Sequence, residues 1–276
     1  MINFPANVIV NIPANLFLPG NCRVSGRVNS GSEVRALKDF YGGRLYNLEI
    51  TDLDLDDQDL LESLKGSRVN VLVTRQDLAF IGRNVESIRE TLPVFHVFPD
   101  EHLLKKVNFL TGLRFPVHIA TDHPSTSPDT LLQALDFYLH SPLLNIPLEP
   151  FHTLLITQGK GKGLSLWDIE KERSSLNFYI HENNISLSRR WLDRKKYFGE
   201  LDNTWTAIMN SDLIIELKSL KNTLFKNKAI CIFCPHLDLC NGFLKAADIE
   251  RPCDDWKAVF NIIKDEVNIA ADLLRS

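Results

Sequence analysis

The sequence lacks long apolar stretches and an excess of positive charge, and these absences argue against several classes of protein. No uninterrupted run approaches the roughly 18 apolar residues that a membrane helix needs, so no membrane span is expected. The formal net charge is −4, which provides no basic field for binding nucleic acid. The opening residues, MINFPAN, show no basic stretch before an apolar core and no small-residue cleavage site. We therefore expect a cytoplasmic protein without a secretory signal.

Common catalytic motifs are also missing. The chain contains no nucleophile elbow, no HExxH motif and no Rossmann fingerprint, so none of these familiar enzyme classes is indicated. Residues 159–163 (GKGKG) alternate glycine and lysine, but a Walker A loop needs wider glycine spacing and a Lys-Ser/Thr end. We interpret this segment as a flexible turn and a module boundary rather than a phosphate-binding loop.

What the first part of the chain does contain is an alternation of strand-like and helix-like segments. This pattern is typical of βα units around a parallel sheet. It predicts an α/β fold in the form of a partial or open βα barrel. The predicted strands are Leu45–Thr51, Arg68–Val73, Val94–Phe98, Pro116–Ala120 and Leu154–Thr157, and the predicted helices are Asp56–Leu64, Val85–Thr91, His102–Leu110 and Ser127–Leu139.

The pattern changes after Gln158. Asn177–Ile180 and Ile185–Ser188 flank an Asn-rich turn and predict a β-hairpin. Leu213–Leu224 predicts a helix immediately before the cysteines. We therefore divide the chain into a βα domain over residues 1–158 and a metal-binding domain over residues 159–276.

Four of the five cysteines lie within one short segment: Cys231, Cys234, Cys240 and Cys253. In a reducing compartment such clusters are metal ligands or redox groups more often than disulfides. Two cysteines separated by two residues can turn both sulfurs toward one ion, and two later cysteines complete a set of four thiolates. Such a set suits zinc or an iron–sulfur cluster, and spacing alone does not choose between them.

Three other residues, near or outside this segment, bear on the site: Gly242, His236 and Cys22. Gly242, just after the third cysteine, permits the close backbone approach that such a site requires. His236 is an alternative ligand, although a histidine beside the site rather than in it is the favoured interpretation. Cys22 stands alone and is interpreted as a small buried apolar residue.

The string C-x2-C-P-H-x3-C-x-G, followed by a lone cysteine, resembles the second half of the SPASM domain. That domain is the C-terminal extension of radical SAM enzymes that modify peptides. The preceding hairpin and Phe198–Leu201 (FGEL) are similar to the lead-in of that half, and Leu148–Phe151 (LEPF) is similar to the segment that closes the radical SAM barrel. The resemblance covers most of the chain and is specific only over Asn177–Cys253.

The sequence also departs from this family. Radical SAM enzymes carry C-x3-C-x2-C after their first strand, whereas Cys22 is the only cysteine before Cys231. Thr51–Asp54 (TDLD) stands where the family has a Gly-Gly-Glu turn that grips the cofactor. Ser186–Ser188 and Leu244 stand where ligands of the first auxiliary cluster are expected. The resemblance therefore implies no cleavage of S-adenosylmethionine.

The four retained cysteines match the ligands of the family's second auxiliary cluster. The resemblance thus implies a 4Fe–4S cluster on Cys231, Cys234, Cys240 and Cys253, with zinc as the alternative. It also implies an accessory subunit in the modification of ribosomally made peptides. Such a subunit would bind a precursor peptide or a catalytic maturase in a hetero-oligomer and would not act as an autonomous enzyme.

Two other functions stay open. One is a scaffold or binding protein with a structural zinc site. The other is a non-radical enzyme on a diverged barrel, for example a metal-assisted hydrolase. Its candidate polar groups lie near predicted strand ends: Asp52, Asp54, His96, His118, Asp122, His123 and Glu149. For His96 and His118 the favoured interpretation is a half-buried strand residue with hydrogen-bond partners.

Overall fold

The computed structural model describes nine segments of the chain. They are residues 2–50, 57–74, 77–121, 127–142, 144–161, 163–170, 177–219, 222 and 230–273. Among these residues, no helix combines the length and the apolar character needed to cross a membrane.

Strands and helices alternate through most of the described chain. The strands, in chain order, are β1 Ile9–Pro13, β2 Arg23–Arg27, β3 Leu45–Ile50, β4 Val69–Val73, β5 Pro93–Val97, β6 Val117–Ile119, β7 Leu148–Glu149, β8 Asn177–His181, β9 Asn184–Ser186 and β10 Gly199–Glu200. The helices are α1 Gly31–Tyr41, α2 Gln58–Leu64, α3 Asp77–Arg83, α4 Val85–Arg89, α5 Leu103–Gly112, α6 Pro128–His140, α7 Phe151–Gly159, α8 Leu166–Ile169, α9 Arg189–Asp193, α10 Trp205–Met209, α11 Asp212–Lys218, α12 Leu237–Cys240, α13 Phe243–Ala246 and α14 Asp254–Leu273.

The molecule divides into two compact units. The first comprises Met1–Val94 and Lys171–Leu220, and the second comprises Phe95–Glu170 and Lys221–Ser276. In the first unit the strand order is β10-β9-β8-β1-β2-β3-β4. Neighbours from β8 to β4 run parallel, whereas β8, β9 and β10 form an antiparallel meander.

The second unit contains a smaller parallel arrangement. Strand β5, from Phe95 onward, pairs with β6, and β6 pairs with β7, all in parallel. Helix α14 packs against α6 and α7. Its Trp256 and Phe260 are buried, and the Trp256 ring lies 6.2 Å from the ring of Phe151 in α7. This packing is the core on which the cysteine segment rests.

Local sequence explains why the first unit folds this way. Ser30 caps α1 by accepting a hydrogen bond from the Glu33 amide, and the Glu33 carboxylate accepts one from the Asn29 amide, which is a reciprocal cap. Helix α1 buries Leu37 against β2. A Cβ atom at Gly26 of β2 would lie 2.2 Å from Leu37 Cδ1, so glycine permits the close approach of helix and strand.

The prediction of an α/β fold is confirmed, with a mostly parallel arrangement of strands. The predicted hairpin is also confirmed, with β8 and β9 antiparallel and His181 paired with Asn184. The predicted helix over Leu213–Leu224 is observed as Asp212–Lys218, and most of the rest of it lies outside the described residues. The predicted division into a βα domain over residues 1–158 and a metal-binding domain over residues 159–276 stays a prediction.

One predicted strand is wrong. Leu154–Thr157 belongs to helix α7 rather than to a strand. The Glu149 carboxylate accepts hydrogen bonds from the Thr153 amide and hydroxyl group and so stabilises the first turn of this helix. Phe151 and Leu154, three residues apart, are buried on its inner side. Strands β1 and β2 and the 20-residue helix α14 were not predicted.

Candidate metal centre

The first two cysteines lie in a tight turn, as their spacing predicts. Ile230–Phe233 form a single 3₁₀ turn, and the Cys234 amide donates to the Cys231 carbonyl at 3.1 Å. The Leu237 amide then donates to the Cys234 carbonyl at 3.2 Å. These two successive turns curl the backbone around one side of the site and lead directly into α12, which ends at Cys240.

Two left-handed residues follow Cys240. Asn241 has φ of 48° and Gly242 has φ of 76°, a conformation that glycine adopts without steric cost. The Asn241 carbonyl accepts a hydrogen bond from Trp167 Nε1 at 3.1 Å, and the Trp167 ring lies edge-on to Phe243 at 5.2 Å. The chain reversal after the third cysteine is thus fixed by a buried tryptophan.

The fourth cysteine is positioned by a lysine and a helix. Lys245 Nζ donates to the carbonyl oxygens of Ile249 and Arg251, both at 2.7 Å, and so braces the loop before Cys253. The Lys257 amide of α14 donates to the Cys253 carbonyl at 2.9 Å. The position of Cys253 therefore depends on the packing of α14.

All four cysteines line one cavity of about 200 Å³, although Cys253 lies 13 positions after Cys240 in the sequence. All four are free thiols. Three cationic residues, Lys245, Arg251 and Lys257, share the lining with the carboxylates of Glu250 and Asp254, so both signs of charge surround the sulfurs.

Burial controls the protonation of these thiols. It raises the pKa of Cys231 and of Cys253, and it raises the pKa of Cys240 to about 12. The charge of Lys245 acts in the opposite direction and lowers the pKa of Cys231 and Cys253, but less strongly. Because a thiol is neutral below its pKa, Cys240 carries its proton at neutral pH unless a cation replaces it.

The side-chain positions do not by themselves form a coordination site. Among the described histidine, cysteine, aspartate and glutamate side chains, no group of three is arranged to hold one metal ion. His236 does not line the cysteine cavity. It is buried beside Phe260, with ring centroids 5.6 Å apart, and burial lowers its pKa. The favoured interpretation of His236, beside the site rather than in it, agrees with this placement.

A second group of polar side chains crosses the strands of the same unit. Neighbouring positions of β5, β6 and β7 carry His96, His118 and Glu149 in register. The His96 and His118 rings stack with centroids 4.9 Å apart. Glu170 follows α8 and places its carboxylate 3.1 and 3.2 Å from His118 Nε2. The sequence prediction included His96, His118 and Glu149 but missed Glu170.

The remaining candidates cannot be placed. Asp52, Asp54, Asp122 and His123 lie outside the described residues, as does the segment from Thr51 to Asp54. Lys245 and Lys257 were also missed by the sequence analysis. Their only sequence signal was their position within a few residues of Cys240 and Cys253, and lysines at such spacing are common on solvated faces.

Comparison with known proteins provides no family for this chain. No protein-family model, no curated protein and no solved structure matches it.

His118 and Glu170 form a partly buried ion pair. Burial raises the pKa of Glu170, but the adjacent charge of His118 and its hydrogen bond outweigh that effect, so the pKa is lowered overall. A lowered pKa stabilises the fold above the ordinary glutamate pKa of about 4.3, and this contribution is lost as the pH falls through the folded-state value. We expect Glu170→Gln to reduce the free energy of unfolding by about 2 kcal/mol at pH 7. Urea denaturation measures the difference.

The matched control is Glu86→Gln, which removes an exposed pair with Arg89 and should change stability by less than about 0.5 kcal/mol. The difference between wild type and Glu170→Gln should shrink as the solution is acidified below about pH 4. An equal stability of the two proteins at pH 7 would contradict the proposed contribution of this pair.

Proposed function

We propose that the protein is a catalytically silent accessory subunit for the modification of ribosomally made peptides, built on an open radical SAM-like barrel with a SPASM-like C-terminal segment. Cys231, Cys234, Cys240 and Cys253 would hold one 4Fe–4S cluster. The observation that carries this proposal is the shared cavity lined by all four thiols.

The donor set fits such a group chemically. Four thiolates suit a soft metal centre, and an iron–sulfur cluster would supply one-electron transfer at this position. Among the described residues no three metal-ligating side chains are arranged around one ion, so the side-chain arrangement favours neither the cluster nor zinc. The three basic residues of the lining would partly offset the negative charge of four thiolates in a buried site. The resemblance to SPASM domains is the reason to place the cluster before zinc.

The accessory role rests on what the sequence lacks and on one exposed side chain. Cys22 is fully buried and is the only cysteine in the first 230 residues, so three cysteines for a cofactor-cleaving cluster are not available. Phe233, between the first two cysteines, is 87% exposed. An aromatic ring this exposed is suited to be buried by a partner. We propose a catalytic maturase or a precursor peptide as that partner, in a cytoplasmic hetero-oligomer.

A different function is favoured by the partly buried group of His96, His118 and Glu170. A carboxylate that holds a histidine is the arrangement used in general acid–base catalysis. In this alternative the protein is a non-radical enzyme, for example a hydrolase, on a diverged barrel. A hydrolase screen with added divalent metals tests it. Activity that is lost in Glu170→Gln would support it, and a screen that is silent for the wild type would remove it.

If the four cysteines hold a 4Fe–4S cluster, anaerobically purified wild-type protein should be brown, with a broad absorbance band near roughly 400 nm and about four irons per chain. Cys234→Ala should lose most of the iron and colour because it removes one of four ligands. Cys22→Ala is the matched control and should keep both, since Cys22 does not line the cavity. A colourless protein with about one zinc per chain would assign the site to structural zinc instead.

The exposed Phe233 ring is the proposed contact with a partner. We expect the wild-type protein to bind the precursor peptide or the maturase encoded beside its gene, as measured by fluorescence anisotropy or calorimetry. Phe233→Ser should weaken this binding by about 2 kcal/mol, near thirtyfold, if the ring is a central contact. Ile215→Ser is the control because Ile215 is also exposed, at 52%, but lies on α11 in the other unit. Absence of affinity for either partner would reject the accessory role.

A further inference from the structure

A second cavity lies in the first unit, and none of the four clustered cysteines lines it. Its volume is about 490 Å³, within the range of small-molecule sites. It is formed where β2, β3 and β4 begin: Arg23 starts β2, Leu45 starts β3, and Arg68 immediately precedes β4. Ligands of open parallel sheets usually bind at the opposite, carboxyl edge. This cavity is therefore separate from the edge at which barrel chemistry is expected.

The charged residues of this cavity all have the same sign. Arg23, Lys38, Arg44 and Arg68 line it, and no aspartate or glutamate does. Nearby cations are neutralised, since Arg35 pairs with Asp59 and Lys65 pairs with Glu62 and Glu90. Among the described residues no carboxylate forms an ion pair with any of the four lining cations. Within the described residues these four positive charges are therefore uncompensated, although the chain as a whole has a net charge of −4.

Two of the four cations are held in place by neutral groups. Lys38 Nζ donates to the carbonyl oxygens of Ser63 at 2.6 Å and Lys65 at 3.3 Å. Arg44 donates to the Gly20 carbonyl, and its guanidinium lies 5.0 Å from the centre of the Tyr41 ring. These contacts fix the side chains without cancelling their charge. The cations are therefore positioned before any anion arrives, which lowers the entropy cost of binding.

We propose that this cavity binds a small phosphate-bearing ligand, with phosphate oxygens on Arg23, Arg44 and Arg68. Arginine is well suited to phosphate because its planar fork of donors matches two oxygens. The concave shape and the volume favour a small molecule over a peptide chain. The proposal does not depend on the cysteine site, and either can fail without the other.

The experiment is calorimetric titration of the full chain with ADP and, separately, with inorganic phosphate at low salt. ADP should bind, and inorganic phosphate should bind more weakly, because a single phosphate group makes fewer contacts with the three arginines than a diphosphate does. Arg23→Met and Arg68→Met should each weaken ADP binding about tenfold. Neither side chain donates a hydrogen bond within the described fold, so both variants should fold normally. Phosphate that binds as tightly as ADP would identify the ligand as the free anion.

Gly43→Glu adds a negative charge to the lining of the cavity. A Cβ atom at Gly43 would meet nothing within 4 Å, so the added carboxylate can enter the cavity without a clash and should abolish binding. Arg83→Met is the matched control, since Arg83 lies in the same unit but not in the lining. The proposal is overturned if neither ADP nor phosphate binds, if the lining variants bind like the control, or if a short polyglutamate peptide binds more tightly than ADP.

Discussion

The packing of helix α14 determines the geometry of the cysteine segment. The fourth cysteine directly precedes this helix, and the buried rings of Trp256 and Phe260 anchor the helix to α6 and α7. Burial of two such aromatic side chains contributes several kcal/mol. The other three cysteines reach the same cavity through short turns that rest on Trp167 and on the left-handed Gly242. Without α14, Cys253 would have no fixed position opposite them.

The cysteine site and the His118–Glu170 pair of the second unit differ in the charge state of their partly buried groups. At the cysteine site, burial raises the pKa of Cys231, Cys240 and Cys253 and so favours their neutral form. At Glu170 the group stays charged, because His118 lies within hydrogen-bonding distance. A neutral thiol must release its proton before it can bind a metal. Binding of a metal by these cysteines would therefore depend on pH, whereas the histidine–glutamate pair forms without a further ligand.

Sequence patterns predicted those parts of the fold in which a local signal agrees with the tertiary structure. Strand β4, helix α6 with its Ser127 cap and the β8–β9 hairpin follow this rule. The strand predicted over Leu154–Thr157 was wrong, because an apolar run of this length fits a short strand and a buried helix equally well. The Glu149 carboxylate favours the helix because it accepts a hydrogen bond from Thr153 in the first turn, and the apolar pattern of the sequence does not indicate that contact. Glu170 was missed for a similar reason, since it lies 52 residues from the histidine that it contacts.

The second unit is assembled from two stretches of chain that are separated by residues of the first unit. As the polypeptide leaves the ribosome, α6 and α7 are made about 100 residues before α14, the helix that covers them. At the usual synthesis rate of about 5–20 residues per second, their apolar sides stay uncovered for many seconds. Apolar surface that is exposed in this way is prone to aggregation. The cysteine segment is consequently not a portable module, and grafting it onto another protein would require α6 and α7 to be carried with it.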